Sequence, residues 1–298
     1  MTAKETIVKN TLDKKTWIWN SQKIQYTVMG SGQPLLLIHG FGASIGHWRK
    51  NIPVLAEAGY QVFALDLLGF GGSEKPALDY TVELWQDQIQ DFWQEKIQQP
   101  TVFVGNSIGG LLSLMVISAE PEIAAGGILI NCAGGLNHRP DELALPLRLV
   151  MGTFTKLVSS PITGKFIFDR IRQKQRIRRT LKQVYRTSEA ITDELVDLLY
   201  HPSCEIGADK VFASVLTAPP GPKPTEMLPK CLSPLLVIWG EDDPWTPIQG
   251  AAIYRELAET RNNVQFCSIE NAGHCPHDEK PDEVNQLIID WLKKNLTD

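Results

Sequence analysis

Gly105-Asn106-Ser107-Ile108-Gly109 sits between two apolar runs, TVFV before it and LLSLMVISAE after it. A serine with glycines two residues away on both sides fits a strand-to-helix turn so tight that side chains at those flanking positions would clash. Such a turn lifts the hydroxyl to the end of a sheet and beside a helix N-terminus, where backbone N–H groups can hold an oxyanion. A hydroxyl is a weak nucleophile at neutral pH and needs a base to take its proton. Of the six histidines, His274 in Asn271-Ala272-Gly273-His274 has the fitting setting, after the last apolar run and before a C-terminal amphipathic stretch. A base in turn needs an acid that fixes its tautomer and stabilises the imidazolium. Glu241, Asp242 and Asp243 follow Trp239-Gly240, and spacing alone does not choose among them. The chemistry implied is nucleophilic attack on a carbonyl carbon.

These groups meet only if the elements carrying them end at one place. PLLLIHG (34–40), QVFALDLLG (61–69), TVFVGNS (101–107) and GGILINC (126–132) are short continuous apolar runs, the pattern of strands buried on both faces of a parallel sheet. Residues 48–58 and 82–97 suit helices between them, so strand and helix alternate as in a doubly wound α/β sheet. A hairpin, 16–19 and 23–28 around Asn20-Ser21-Gln22, comes first. The alternation stops near Ala133 and resumes at PLLVIWG (234–240) and VQFCSIE (264–270). A last helix is expected over 282–296, with Val284, Leu287, Ile288, Trp291 and Leu292 as its apolar stripe. The count is eight strands, six before the interruption and two after. The expected division is a core of residues 1–133 and 229–298 with a mainly helical insertion, 134–228, that ends in APPGPKPTEMLP. Trp85, Trp93 and Trp245 are expected in the core rather than around a pocket.

Bulk properties narrow the function classes. The 298 residues are 43% apolar and 21% charged, as in a soluble globular protein with a sizeable core. A formal net charge of −5 gives no surplus of cations for nucleic acid. Cys132, Cys204, Cys231, Cys267 and Cys275 are odd in number and scattered, which predicts neither a disulfide framework nor a structural zinc site and favours a cytoplasmic, reducing setting. The polar start MTAKETIVKNTLDKKTW lacks the apolar stretch of a secretory signal, and no apolar run approaches the roughly 18 residues of a spanning helix.

The motifs resemble those of the α/β-hydrolase superfamily from end to end, in its cap-bearing branch. The resemblance implies an α/β-hydrolase fold: an eight-stranded, mostly parallel sheet flanked by helices, with a helical cap inserted after the sixth strand. It implies the chain order serine, acid, histidine and an acid at the end of a G-x-x-D step. That step runs here from Gly240 to Asp243, so Asp243 is the acid. His39-Gly40-Phe41-Gly42 is similar to the family's oxyanion loop, which makes the N–H groups of Phe41 and Ile108 the expected donors. Asp66-Leu67-Leu68-Gly69-Phe70-Gly71 also matches and reads as structural. Haloalkane dehalogenases and epoxide hydrolases attack with an aspartate where this chain has Ser107. C–C bond hydrolases of aromatic degradation share the G-N-S-x-G-G turn but usually carry Trp after the histidine, where Cys275 stands here.

Within the superfamily the chain looks most like the pheophytinase and chlorophyll-dephytylase type of plants and cyanobacteria. Three stretches carry this: GNSIGG (105–110), GHCPHDEKP (273–281) and ITDELVDLLYHPSCEIGADKVFASVLTAPPGPKP (191–224). The first half of the insertion carries none of this resemblance. The resemblance implies a serine hydrolase that cleaves a lipophilic, phytyl-type carboxylic ester through an acyl-enzyme, with no metal or organic cofactor. A small-ester carboxylesterase, a C–C hydrolase of a diketone-type substrate and a non-catalytic ligand-binding protein are the other readings. Oligomeric state is not readable.

One segment stands apart. Residues 165–182 hold Lys165, Arg170, Arg172, Lys174, Arg176, Arg178, Arg179 and Lys182 against a single acid, Asp169. Ile167, Ile171, Ile177, Leu181 and Val184 fall at roughly helical spacing, which predicts an amphipathic helix with a solvated basic face. A second reading is peripheral contact with an anionic membrane surface.

Overall fold

The computed structural model describes residues 12–137, 139 and 145–296. The first eleven residues, whose polar character was noted above, and His138 lie outside it. The apolar runs become the middle of one sheet. Its strands are β1 (Lys15–Trp19), β2 (Gln22–Met29), β3 (Pro34–Ile38), β4 (Gln61–Leu65), β5 (Thr101–Asn106), β6 (Ala124–Ile130), β7 (Leu235–Gly240) and β8 (Val264–Ile269), in the order β1-β2-β4-β3-β5-β6-β7-β8. The pairings β1–β2 and β2–β4 are antiparallel; every other one is parallel. The sheet is therefore eight-stranded and mostly parallel, as expected.

Strands β3, β5 and β7 are buried at every position because helices cover both faces. The period of two is visible in β3. Leu36 and Ile38 join the core beneath α2 (Val82–Lys96) and α3 (Ile108–Ala119). Leu35 and Leu37 join the opposite core, with Ile52 and Leu55 of α1 (Ile52–Glu57). A helix expected over 48–58 is instead a 3-10 turn, Ile45–Trp48, followed by α1, whose first turn Pro53 opens. Trp85 is fully buried and donates to the Leu68 carbonyl (3.0 Å), and Trp93 is half-buried.

Between β6 and β7 lie α4 (Leu145–Ser159), α5 (Pro161–Ile171), α6 (Lys174–Val184), α7 (Asp193–Ser203), α8 (Ala208–Thr217) and the single turn α9 (Pro224–Met227). After β7 come α10 (Ala252–Thr260), α11 (Pro276–Glu279) and α12 (Pro281–Leu296). The single helix expected over 165–182 is two, broken at Arg172-Gln173, where Gln173 turns to φ −61°, ψ 134°. At 100° per residue, Phe168 and Ile171 would lie roughly 120° away from Ile177 and Leu181 on one continuous helix. The break re-aims both stripes at the same cavity. Among the described residues no helix is long and apolar enough to cross a membrane.

The order of the strands decides where a site can form. From β3 the chain moves to β4 on one side, then returns to β5 on the other. The loops leaving the carboxyl ends of β3 and β5 therefore diverge and open a crevice there.

Candidate active site

Ser107 ends β5 and opens α3 with φ 58°, ψ −120°, a conformation that costs a non-glycine residue about 1–3 kcal/mol. Its surroundings over-determine it. The Ser107 N–H donates to Ile130 O (3.0 Å), and its carbonyl accepts from the N–H groups of Gly110 (3.0 Å), Leu111 (3.2 Å) and Ala133 (3.0 Å). The flanking glycines are steric necessities. A Cβ on Gly105 would lie 2.0 Å from Gly109 O, and one on Gly109 would lie 2.1 Å from Ile38 O.

His274 follows β8 and faces Asp243. The His274 Nδ1 lies 2.7 Å from Asp243 Oδ2, and both side chains are buried. Among the three acids of this loop, Asp243 is buried while Glu241 and Asp242 are exposed, a difference that the sequence did not carry. Asp243 Oδ1 accepts from the N–H groups of Trp245 (2.7 Å) and Thr246 (3.1 Å), and Oδ2 also accepts from Thr246 Oγ1 and Asn131 Nδ2 (2.8 Å). Burial works against the carboxylate. The His274 hydrogen bond and charge and the Thr246 donors outweigh it, and Asp243 stays below its ordinary pKa. The carboxylate can thus hold the imidazole by Nδ1, leaving Nε2 for a proton in transit.

Asn131 is the residue that sequence reading missed. It stands one position beyond β6 at φ 42°, fully buried. Its amide nitrogen donates to Asp243 and its amide oxygen accepts from Gly240 N (3.0 Å), so one side chain ties the end of β7 to the acid. Asn106 does the same for the base, donating to His274 O (2.9 Å).

The loop after β3 lies against the Ser107 turn. A Cβ on Gly40 would come within 3.2 Å of Ser107 Cβ. His39 braces this loop: its Nδ1 is 2.7 Å from Gly40 O, and its Nε2 accepts from Leu67 N (3.0 Å), which assigns the proton to Nδ1. Phe41 follows directly, and Ile108 opens α3, where first-turn amides have no intrahelical acceptor. Asp66 accepts from Ile45 N (2.6 Å) and Gly72 N (2.7 Å), a structural role as expected. Its loop does more than that, because Gly69, Phe70 and Gly71 line the cavity.

That cavity measures about 230 Å³ and has Ser107, His274, Gly40 and Phe41 on its floor. Phe168 and Ile171 of α5, Ile177 and Leu181 of α6 and Phe212 of α8 enclose it. Trp245, expected in the core, is 52% exposed and lines the cavity, its ring centre 5.2 Å from that of His274. It follows Pro244 on a loop outside the sheet, so no packed layer covers it.

The sequence matches the alpha/beta hydrolase family over residues 35–287. It is 29% identical to the chloroplastic pheophytinase of Arabidopsis thaliana, over 87% of this chain and 61% of that longer protein. It is 26% identical to the 2-hydroxy-6-oxo-6-(2'-aminophenyl)hexa-2,4-dienoic acid hydrolase of Metapseudomonas resinovorans, over 91% of this chain and 87% of that one. Epoxide hydrolases are among the other relatives, at 25% identity for the rat bifunctional enzyme over 92% of this chain and 54% of that one. A crystal structure of a serine hydrolase involved in carbazole degradation superposes with a TM-score of 0.73 at 23% identity, over 95% of this chain and all of that one. Fold, motif order and a match spanning most of the sequence agree: this chain belongs to the alpha/beta hydrolase family.

Proposed function

We propose that this protein is a serine hydrolase that cleaves a neutral, lipophilic carboxylic ester through an acyl-enzyme, with Ser107, His274 and Asp243 as its triad. One observation carries the reading: Ser107, in its strained turn, and the Asp243-held His274 share a cavity walled mainly by aromatic and aliphatic side chains. Ser107 Oγ attacks the ester carbonyl while His274 Nε2 takes its proton. The N–H groups of Phe41 and Ile108 receive the oxyanion, and one such donor contributes about 3–4 kcal/mol. His274 returns the proton to the departing alcohol, and water then hydrolyses the acyl-enzyme by the same route. Residues 134–228 serve as the cap over this site, and the scattered cysteines suit a cytoplasmic setting.

The similarity to pheophytinase favours a phytyl-type ester. The similarity to a dienoic acid hydrolase favours C–C cleavage. The lining cations speak against the latter, because an acidic substrate wants an unengaged cation in the pocket. Lys75 is taken by Glu205 and by the carbonyls of Gly71 (2.8 Å) and Ser73 (3.0 Å), and Arg172 by Asp169 (2.8 Å). A serine at position 107 counts likewise against an epoxide hydrolase.

Hydrolysis of p-nitrophenyl esters by the wild type and by Ser107→Ala, beside a phytylated pigment in detergent, tests the reading. We expect both activities in the wild type and a loss of about 10⁴-fold or more in the variant. Ester hydrolysis that survives Ser107→Ala in protein free of contaminating esterase would overturn the mechanism. Cleavage of a dienoic acid but of neither ester would transfer the protein to the C–C hydrolases.

A further inference from the structure

Of the large apolar side chains exposed among the described residues, six fall between 145 and 171: Leu145, Val150, Leu157, Ile162, Phe166 and Ile171. The sharpest case is α5. Ile162 and Phe166, four residues apart and so on one face, are 84% and 62% exposed. Lys165 and Arg170 flank them, both exposed, and the Arg170 guanidinium lies over the Phe166 ring at 5.4 Å. The opposite face, with Gly164 and Phe168, is buried, and Phe168 and Ile171 line the cavity. This helix is therefore apolar on both sides, with cations only at the edges of the outer one.

Charge points to what covers that outer face. Residues 145–182 hold ten cations and one acid, in a chain whose net charge is −5. The acid, Asp169, is engaged by Lys165 (3.1 Å) and Arg172 (2.8 Å). The basic run read from sequence is less free than it looked, since Asp197 and Asp193 of α7 engage Lys174 and Arg178 of α6. Asp169, three residues from Phe166, shares this face, but Lys165 and Arg172 neutralise it and leave the face a cationic surplus. Cations edging protruding aliphatic and aromatic side chains are the pattern of a helix that lies in a lipid interface. We propose that the outer face of α5 docks on an anionic lipid surface, Ile162 and Phe166 entering the headgroup–acyl boundary and Lys165 and Arg170 meeting the headgroups. The same helix would then stand between the lipid and the cavity that its inner face helps to enclose.

Flotation of the full chain with vesicles of phosphatidylcholine, alone or mixed with phosphatidylglycerol, tests this without any turnover, so its failure is distinct from failure of the hydrolase reading. The wild type should float with the mixed vesicles and lose binding as salt rises. Ile162→Ser/Phe166→Ser should reduce the bound fraction by about tenfold or more. Lys165→Gln/Arg170→Gln should flatten the salt dependence. Both variants should hydrolyse a soluble ester as the wild type does, since these four side chains lie outside the cavity lining. Wild type that stays with the unbound protein, or variants that float as the wild type does, would overturn the proposal. So would a vesicle-free dimer that Ile162→Ser/Phe166→Ser converts to monomer, because the face would then belong to a second copy of the chain.

Discussion

Asn131 has no chemistry of its own, yet it connects two strands to the acid that holds the base. A hydrogen bond to a charged group is worth about 1.5–3 kcal/mol. Asn131→Ala should therefore lower kcat by roughly tenfold or more while leaving KM nearly unchanged, because the cavity lining is untouched. Steady-state kinetics on a soluble ester checks this, and a change confined to KM would refute the positioning role. Ser107 and His274 were legible in the sequence because their turn and loop are fixed by glycines and by the ends of apolar runs. Asp243 was named only through resemblance; its burial, which separates it from Glu241 and Asp242, is a tertiary fact. Asn131 left no signal beyond an asparagine after GGILI, since neither its positive φ nor its partner on a distant loop is written locally.

At the scale of elements, α11 holds the end of α6 against the base loop. Glu279, buried, accepts from the N–H groups of Arg186 (2.6 Å) and Thr187 with one oxygen and from Gly273 N (2.8 Å) with the other. Val184 O takes the N–H of His274 itself (2.9 Å). Glu279→Gln turns one acceptor into a donor facing other donors, and a buried N–H left unpaired costs about 1–3 kcal/mol. Its unfolding free energy should fall by about 2–4 kcal/mol, and trypsin should cut faster among the basic residues of α6. Denaturant titration and limited proteolysis measure both; unchanged values would mean that water replaces the carboxylate without loss. The strands and the last helix were readable because periodicity survives burial. The break between α5 and α6 was not, because no glycine or proline marks it and only the position of a shared cavity requires it.

For the molecule as a whole, acid is the predictable weakness. His39, His47 and His277 are buried, and burial lowers the pKa of each, that of His47 to about 4. Among the described residues neither ring nitrogen of His277 has a hydrogen-bond partner in its pocket between Trp48 and His47. The unfolded chain takes up these protons near pH 6.5, and the folded one resists them. Their contribution is thus complete above about pH 6.5 and lost as pH falls through the window below it, at about 1.4 kcal/mol per pH unit for each histidine. Asp243, held below its ordinary pKa, adds its own loss only at lower pH, as the folded carboxylate finally protonates. Urea midpoints should drop between pH 7 and pH 5, and His47→Gln should recover about 2 kcal/mol of the difference. Midpoints that do not move over that range would show these imidazoles reached by solvent. The stitching of Val184, Arg186 and Thr187 to residues 273–279 has a consequence for chimaeras as well. The helices between β6 and β7 are therefore not a cassette seated by its own ends alone. A chimaera that exchanged residues 174–187 without residues 273–279 should leave the base loop without its seat.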